Sequence, residues 1–169
     1  MGRKGFAMHQ PSFRSASLLA AALTVTLAAG FASADPPSTA PHRVSAGATP
    51  THALQDGKLR VQVLLDRDSV GATDAALSLL TAHAGAAAPD HTHEGAELIY
   101  VLEGRASMTI GEQLLELAPG DAVHIPAGAH HTFTVPDGAP PLKVLQVYVP
   151  GGPEQRFKGG ELIEVEPAE

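Results

Sequence analysis

Two histidines and a glutamate fall on odd positions within the segment from Gly85 to Gly104, and their chemistry is that of metal ligands. They are His91, His93 and Glu97. Because side chains alternate between the two faces of an extended chain, all three can lie on one face of a strand. Burying imidazole and carboxylate groups costs free energy unless they are hydrogen-bonded, paired or metal-bound. We therefore expect a metal site, completed by a histidine elsewhere in the chain.

The same segment resembles the first sequence motif of the cupins, a superfamily of small jelly-roll barrels. That motif, G-x5-H-x-H-x3-E-x6-G, is matched at every fixed position by Gly85, His91, His93, Glu97 and Gly104. The second cupin motif, G-x5-P-x-G-x2-H-x3-N, is matched by Gly120, Pro126, Gly128 and His131, with Val135 in place of the final Asn. The resemblance extends over about residues 59–149, which is most of the chain that follows the N-terminal segment.

The resemblance implies that His91, His93, Glu97 and His131 are the metal ligands. Three imidazoles and one carboxylate suit a divalent Mn, Fe, Ni, Cu or Zn ion better than Ca or Mg, which prefer oxygen ligands. Four protein ligands on an octahedral ion leave positions open to substrate or dioxygen. His130 would replace His131 only if the strand register slipped by one residue.

Four other side chains are candidates for proton transfer or substrate contact beside the metal. They are His83, His124, Gln146 and Tyr148, of which the last two share a face of the final strand. Each can equally be an ordinary surface or lining residue. An enzyme needs at least one proton-transfer group near its metal, so the positions of these four discriminate between an enzyme and a binding module.

Short alternating segments separated by turn residues predict an all-β sandwich or barrel. Strands are expected at residues 59–65, 75–82, 97–102, 106–110, 113–118, 122–125, 131–135 and 142–149. The resemblance implies that these strands, about eight or more in number, form a cupin jelly-roll barrel, or double-stranded β-helix, over residues 55–150. In the C-terminal tail, residues 151–169, the charged segment 161–166 predicts one edge strand.

Residues 1–34 are typical of a secretory signal peptide. They combine a basic start, an apolar run and an Ala-x-Ala sequence that ends at Ala34. We expect export to the periplasm or the medium, with cleavage after Ala34 and no stable membrane anchor afterwards. An uncleaved anchor is the alternative, although the apolar run is short for a bilayer. Residues 35–54, rich in Pro and Ala, are predicted to be a flexible linker.

Composition excludes several classes of function. The chain has 169 residues, a net charge of -7 and no cysteine. An acidic chain repels phosphate backbones, which argues against binding to nucleic acid or an anionic membrane. The lack of cysteine excludes disulfides and thiol catalysis.

Function is less well determined than fold, because the cupin resemblance spans dioxygenases, decarboxylases, isomerases, lyases and proteins that only bind. The first expectation is a metal-dependent, dioxygenase-like oxidoreductase acting on a small organic molecule. The alternatives are a non-enzymatic cupin that binds a metal or a small metabolite, and oxalate-decarboxylase-like, isomerase or lyase chemistry. A homodimer is also predicted, because Leu98, Tyr100 and Leu102 form an apolar face opposite the ligands.

Overall fold

The computed structural model describes residues 41–71 and 74–163. The predicted signal peptide and its cleavage site lie outside these residues. Among the residues that the structure describes, no helix is long and apolar enough to cross a membrane.

Eleven strands and two short 3₁₀ helices make up the described part of the chain. The strands are β1 (Thr51–Leu54), β2 (Leu59–Leu65), β3 (Ala76–Ala82), β4 (Ala87–His91), β5 (Ala96–Glu103), β6 (Ala106–Ile110), β7 (Gln113–Leu117), β8 (Ala122–Ile125), β9 (His131–Thr134), β10 (Leu142–Val149) and β11 (Glu161–Ile163). The 3₁₀ helices are Ala46–Ala48 and Pro153–Gly159, and the second is called the C-terminal helix below. The all-β prediction is confirmed.

The strands form two antiparallel sheets that share one apolar core. The larger sheet has the order β11-β1-β2-β3-β10-β5-β8, and the smaller has the order β4-β9-β6-β7. Strand β10 shows why the core forms, since Leu142, Val144, Gln146 and Tyr148 alternate with less buried residues. The buried faces of both sheets meet in one cluster that includes Val101, Met108 and Val135, as the period of two requires.

Residues 51–54 correct the predicted boundary of the linker. They form β1, which pairs with β2 on one side and with β11 on the other. A turn with positive φ at Gln55 and Asp56 connects β1 to β2. The strand is only four residues long, too short for its alternation to be recognised in a Pro-rich context. The predicted edge strand at the C-terminus is found at Glu161–Ile163, and residues 164–166 lie outside the described part.

Two glycines form turns next to the strands that carry the candidate ligands. Gly104 ends β5 with φ of 78°, and a Cβ there would collide with the Pro141 carbonyl group. Gly128 precedes β9 with φ of 73°, and its N–H donates to the His93 carbonyl oxygen at 2.8 Å. Glycine adopts positive φ without the steric cost that a Cβ brings. The Gly128 turn therefore connects the start of β9 to the loop that carries His93.

Candidate metal centre

Three histidines from two separate parts of the sequence meet at one end of the smaller sheet. His91 ends β4, His131 begins β9, and these two residues are paired across the strands. His93 follows in the loop between β4 and β5. One ring nitrogen from each of the three lies within 4.8 Å of the others. The fold thus brings together the histidines that the two sequence motifs supplied.

Backbone carbonyl groups determine which nitrogen of each imidazole is free. Nδ1 of His91 donates to Pro89 O at 2.9 Å, Nδ1 of His93 donates to Gly95 O at 2.6 Å, and Nδ1 of His131 donates to Ala129 O at 2.9 Å. A carbonyl oxygen only accepts hydrogen bonds, so each Nδ1 must carry a proton. In the neutral rings, every Nε2 is then left with an unshared electron pair.

Glu97 lies against two of these imidazoles. Its Oε2 atom is 3.0 Å from Nε2 of His93 and 3.6 Å from Nε2 of His131, and its side chain is 2% exposed. A carboxylate oxygen and an unprotonated Nε2 are both acceptors, so they do not hold each other at 3.0 Å without a proton or a cation between them. Burial alone would raise the pKa of Glu97, but His131 and His93 outweigh it and lower the pKa below its usual value. The carboxylate is therefore charged and suited to a cation.

The pKa values of two histidines shift in opposite directions. Burial lowers the pKa of His91, which favours the neutral ring that a metal requires. Burial alone would lower the pKa of His131, but the contact with Glu97 outweighs burial and raises the pKa of His131. The negative charge of Glu97 therefore favours positive charge at this position, which a bound cation would also supply.

Gln146 and Tyr148, two of the predicted contact residues, lie beside Glu97. Nε2 of Gln146 donates to Oε1 of Glu97 at 2.8 Å. The Tyr148 ring meets the His93 ring edge-to-face, with 5.5 Å between the centroids. Burial, and then the charge of Glu97, raise the pKa of Tyr148, so its hydroxyl stays protonated. Gln146 can therefore hold the Glu97 carboxylate in place, and Tyr148 packs against His93 as a neutral phenol.

The donor set fits a divalent transition metal. Nε2 of His131 and Oε1 of Gln146 are buried and lack a hydrogen-bond partner among the described residues. Unpartnered polar atoms in a buried site indicate an absent ligand. Convergent imidazole nitrogens beside a charged carboxylate are the ligands that Mn, Fe, Ni, Cu and Zn accept. The three histidines can hold such an ion, and Glu97 is placed next to the same position.

A cavity of about 330 Å³ opens beside the histidines. Most of its lining is apolar and comes from both sheets; it includes Leu59, Leu80, Ile99, Met108, Ile125 and Phe133. The polar lining includes His91, Glu97, His131 and Gln146, with Arg156 from the C-terminal helix. A small ligand with an apolar body can therefore reach the histidines.

The other predicted side chains lie elsewhere. His124 is exposed on β8 opposite Leu98, and His83 follows β3; neither lines the cavity. His130 is exposed, and its Nδ1 lies 3.0 Å from Asp90 Oδ2 at the surface. The histidine cluster contains His131 and not its neighbour, so the strand register is the one that the sequence predicted.

Sequence reasoning did not identify Arg156. The sequence predicts a C-terminal tail with one edge strand, whereas residues 153–159 form the C-terminal helix. The available signal was Phe157, an aromatic residue outside the predicted barrel that turns out to be buried at 4% exposure. An apolar anchor next to an arginine indicates a segment that packs against the fold rather than a free tail.

Comparison with known proteins supports this architecture. The sequence model described as Cupin domain matches residues 78–148. An uncharacterized protein of Streptomyces coelicolor is 33% identical over 99 residues, which cover 58% of this chain and 85% of that protein. Quercetin 2,3-dioxygenase of Bacillus subtilis is 37% identical over 70 residues, which cover 41% of this chain. The matched region spans only 20% of that dioxygenase.

A solved structure shows the same fold at low sequence identity. The polyketide cyclase RemF from Streptomyces resistomycificus superimposes with a TM-score of 0.59 at 24% identity. The superposition covers 76% of this chain and 88% of the cyclase. This likeness concerns the arrangement of the strands.

Proposed function

Because this chain belongs to the cupin superfamily, we propose that it binds one divalent transition metal and uses it in a dioxygenase-like reaction on a small organic molecule. The observation that carries the proposal is the convergence of His91, His93 and His131 beside the charged carboxylate of Glu97. We include Glu97 as the fourth ligand. When bound, the ion supplies a Lewis acid and, if it is redox-active, a route for electrons to dioxygen.

The other side chains of the site position the carboxylate, contact the histidines and line the cavity. Gln146 donates to Glu97 and keeps one carboxylate oxygen in place. Tyr148 keeps its proton because burial raises its pKa; its hydroxyl accepts a hydrogen bond from Arg156, and its ring packs against His93. The apolar lining excludes water from the body of the ligand.

Two observations favour an enzyme over a module that only binds. Gln146 lines the cavity and Tyr148 packs against His93, so polar side chains are in place beside the histidines. The local similarity to quercetin 2,3-dioxygenase favours oxygenase chemistry among the reactions considered. Decarboxylase, isomerase or lyase chemistry at the same residues is the second proposal, since the site holds both an ionised carboxylate and a protonated phenol.

Metal analysis of His93→Ala tests the metal site directly. The purified wild-type protein should contain about one transition-metal ion per chain, and the variant should contain almost none. His130→Ala is the matched control, because its ring is exposed outside the cluster, and it should retain the metal. Equal metal content in all three proteins would overturn the site.

Oxygen consumption separates the proposed reaction from the alternatives. The metal-loaded wild-type protein should consume dioxygen with at least one small phenol, diketone or organic acid, and His93→Ala should not. Conversion of a substrate without oxygen uptake would support the decarboxylase, isomerase or lyase proposal. Stoichiometric binding with no turnover of any compound would support the alternative of a non-enzymatic cupin that only binds its ligand.

We also propose that the protein is exported and cleaved after Ala34. The basic start, apolar run and Ala-x-Ala sequence of residues 1–34 support this. N-terminal sequencing of the protein recovered from its native compartment should begin at Asp35. A chain that begins at residue 1 and sediments with membranes would support the uncleaved anchor instead.

We further propose a homodimer formed by the outer face of the larger sheet. Leu98, Tyr100 and Leu102 are 44%, 47% and 36% exposed there. Copies of an acidic chain repel each other unless the surfaces that meet carry few charges. These three neighbours on β5 are uncharged, which makes a second copy a suitable partner.

A further inference from the structure

The cavity contains a permanent cation that the metal site does not use. Among the described residues that line it, Arg156 is the one with a permanent positive charge. Its guanidinium carbon lies 5.5 Å from the Tyr148 ring centroid and 4.6 Å from that of Phe157. Tyr148 also contacts His93, so a single aromatic ring separates the guanidinium from the metal site.

Most of the hydrogen-bonding capacity of Arg156 is unused. Nη2 donates to the Tyr148 hydroxyl at 3.1 Å, and Nη1 lies at the limiting distance of 3.5 Å from Pro153 O. A guanidinium carries about five N–H donors. Within the described part of the chain, no carboxylate lies within 4.0 Å of this group. Arg156 can therefore donate two parallel hydrogen bonds to a ligand.

The segment that carries Arg156 is held firmly in place. Phe157 is buried in the core, and Gln155 Nε2 donates to Asp66 Oδ2 at 2.6 Å. Lys158 forms an ion pair with the same carboxylate. Because these contacts fix the backbone on both sides of Arg156, a ligand does not have to order the helix when it binds.

The charge balance indicates an anionic ligand. Arg156 lines the same cavity as His91 and His131. A divalent metal ion at those histidines would add to the positive charge, and Glu97 is the one carboxylate among the described lining residues. An anion next to Arg156 would offset this excess of positive charge.

From this geometry we infer that Arg156 is the anion-binding group of the cavity and that the ligand is a small carboxylic acid with an apolar body. A carboxylate matches the two parallel donors of a guanidinium, and the apolar lining accommodates the remainder of the molecule. The inference rests on the proposed function for the claim that the bound acid is also the substrate. Binding itself depends only on the cavity and on Arg156.

Calorimetric binding of two isosteric probes tests the inference. The probes are 2-naphthoate and its neutral analogue 2-naphthamide, measured with zinc-loaded protein and again after chelation. Wild-type protein should bind the acid about 10- to 100-fold more tightly than the amide, which is the range for hydrogen bonds to charged groups. In Arg156→Gln this ratio should fall to about one, with the amide affinity unchanged. Arg156→Lys should recover part of the preference.

Arg60→Gln is the matched control, because Arg60 is exposed on β2 and does not line the cavity. It should keep the full preference for the acid. Equal preference in wild-type protein and Arg156→Gln would overturn the inference, as would no binding of either probe to the wild-type protein.

The two proposals fail separately. If the acid preference depends on Arg156 but no transition metal binds, the metal-dependent function is wrong and the anion site stands. If the metal binds through the histidines but the preference survives Arg156→Gln, only the anion site is wrong. Chelation should leave the contribution of Arg156 in place, because that residue does not contact the metal position.

Discussion

His91, His93 and His131 each give one ring proton to a backbone carbonyl group, so each presents the opposite nitrogen to a common position. That position also faces the carboxylate of Glu97. Protonation of an imidazole would occupy the same nitrogen electron pair that a metal ion would bind. Metal ions and protons therefore compete for the same atoms.

Metal affinity should consequently fall as the pH is lowered. An ordinary histidine has a pKa of about 6.5, and the pKa of His131 is raised by Glu97. Protons should therefore begin to compete above that value. The lowered pKa of Glu97 keeps its charge through the same range. Competition with a chromophoric chelator from about pH 8 to about pH 5 measures this, and a flat profile would contradict the linkage.

At the scale of single elements, the turn before β9 determines where His131 lies. Gly128 has φ of 73° and nothing near its Cβ position, so an alanine there introduces backbone strain and no collision. The strain is about 1 kcal/mol. Its N–H bond to the His93 carbonyl group makes the turn part of the support of the metal site.

Gly128→Ala should therefore weaken metal binding by about 10- to 100-fold, the range seen when the support of a ligand is disturbed. Gly138→Ala is the control, because Gly138 has φ of 74°, equally open space, and a position in the loop before β10. The two variants should lose similar thermal stability. Equal metal affinity in both would show that the turn does not position His131.

The C-terminal helix is a second element whose attachment can be measured. Asp66 is 1% exposed and accepts hydrogen bonds from Gln155 and Lys158 of this helix. Burial alone would raise the pKa of Asp66, but these bonds and those of Ser69 lower it from 3.8 to about 2. The corresponding stability is present above the unfolded-state pKa and is lost as the pH falls towards about 2.

Asp66→Asn should lower the free energy of unfolding by about 2 kcal/mol at neutral pH. The difference from wild type should shrink between about pH 4 and about pH 2, as followed by chemical denaturation. Asp68→Asn should have a smaller effect, because that carboxylate is exposed although it also pairs with Lys158. A difference between Asp66→Asn and wild type that does not change with pH would show that the charge of Asp66 is unimportant.

At the scale of the whole molecule, the oligomeric state tests the dimer interface that we propose on the outer face of the larger sheet. We expect light scattering to give twice the mass of one chain. Leu98→Glu should give monomers, because it places a desolvated charge in the proposed interface. Leu114→Glu is the control on the smaller sheet, where Leu114 is 66% exposed. A monomeric wild-type protein, or dissociation in both variants, would contradict the interface.

The resemblance of the two motifs to those of the cupins implied the histidine cluster, and the structure pairs His91 with His131 on adjacent strands. The contribution of the C-terminal helix was not predictable in this way. Arg156 reaches the cavity through contacts such as Gln155 to Asp66, which join residues 89 positions apart. Such pairings leave no periodic pattern in the sequence. The sequence does not predict strand β1 either, because four residues are too few to show an alternating pattern. The strand is defined by its pairing with β2 and β11.

Each of the three imidazoles is oriented by a carbonyl group two residues away on its own stretch of chain. The three nitrogen atoms already lie within 4.8 Å of one another, so capture of the proposed metal ion should require no rearrangement of the backbone. Loading of the folded protein should accordingly be a fast, single-step association, limited by exchange of water on the incoming ion. Cells would then need no dedicated folding step to fill the site, and the ion it carries would reflect the metals available where the protein resides.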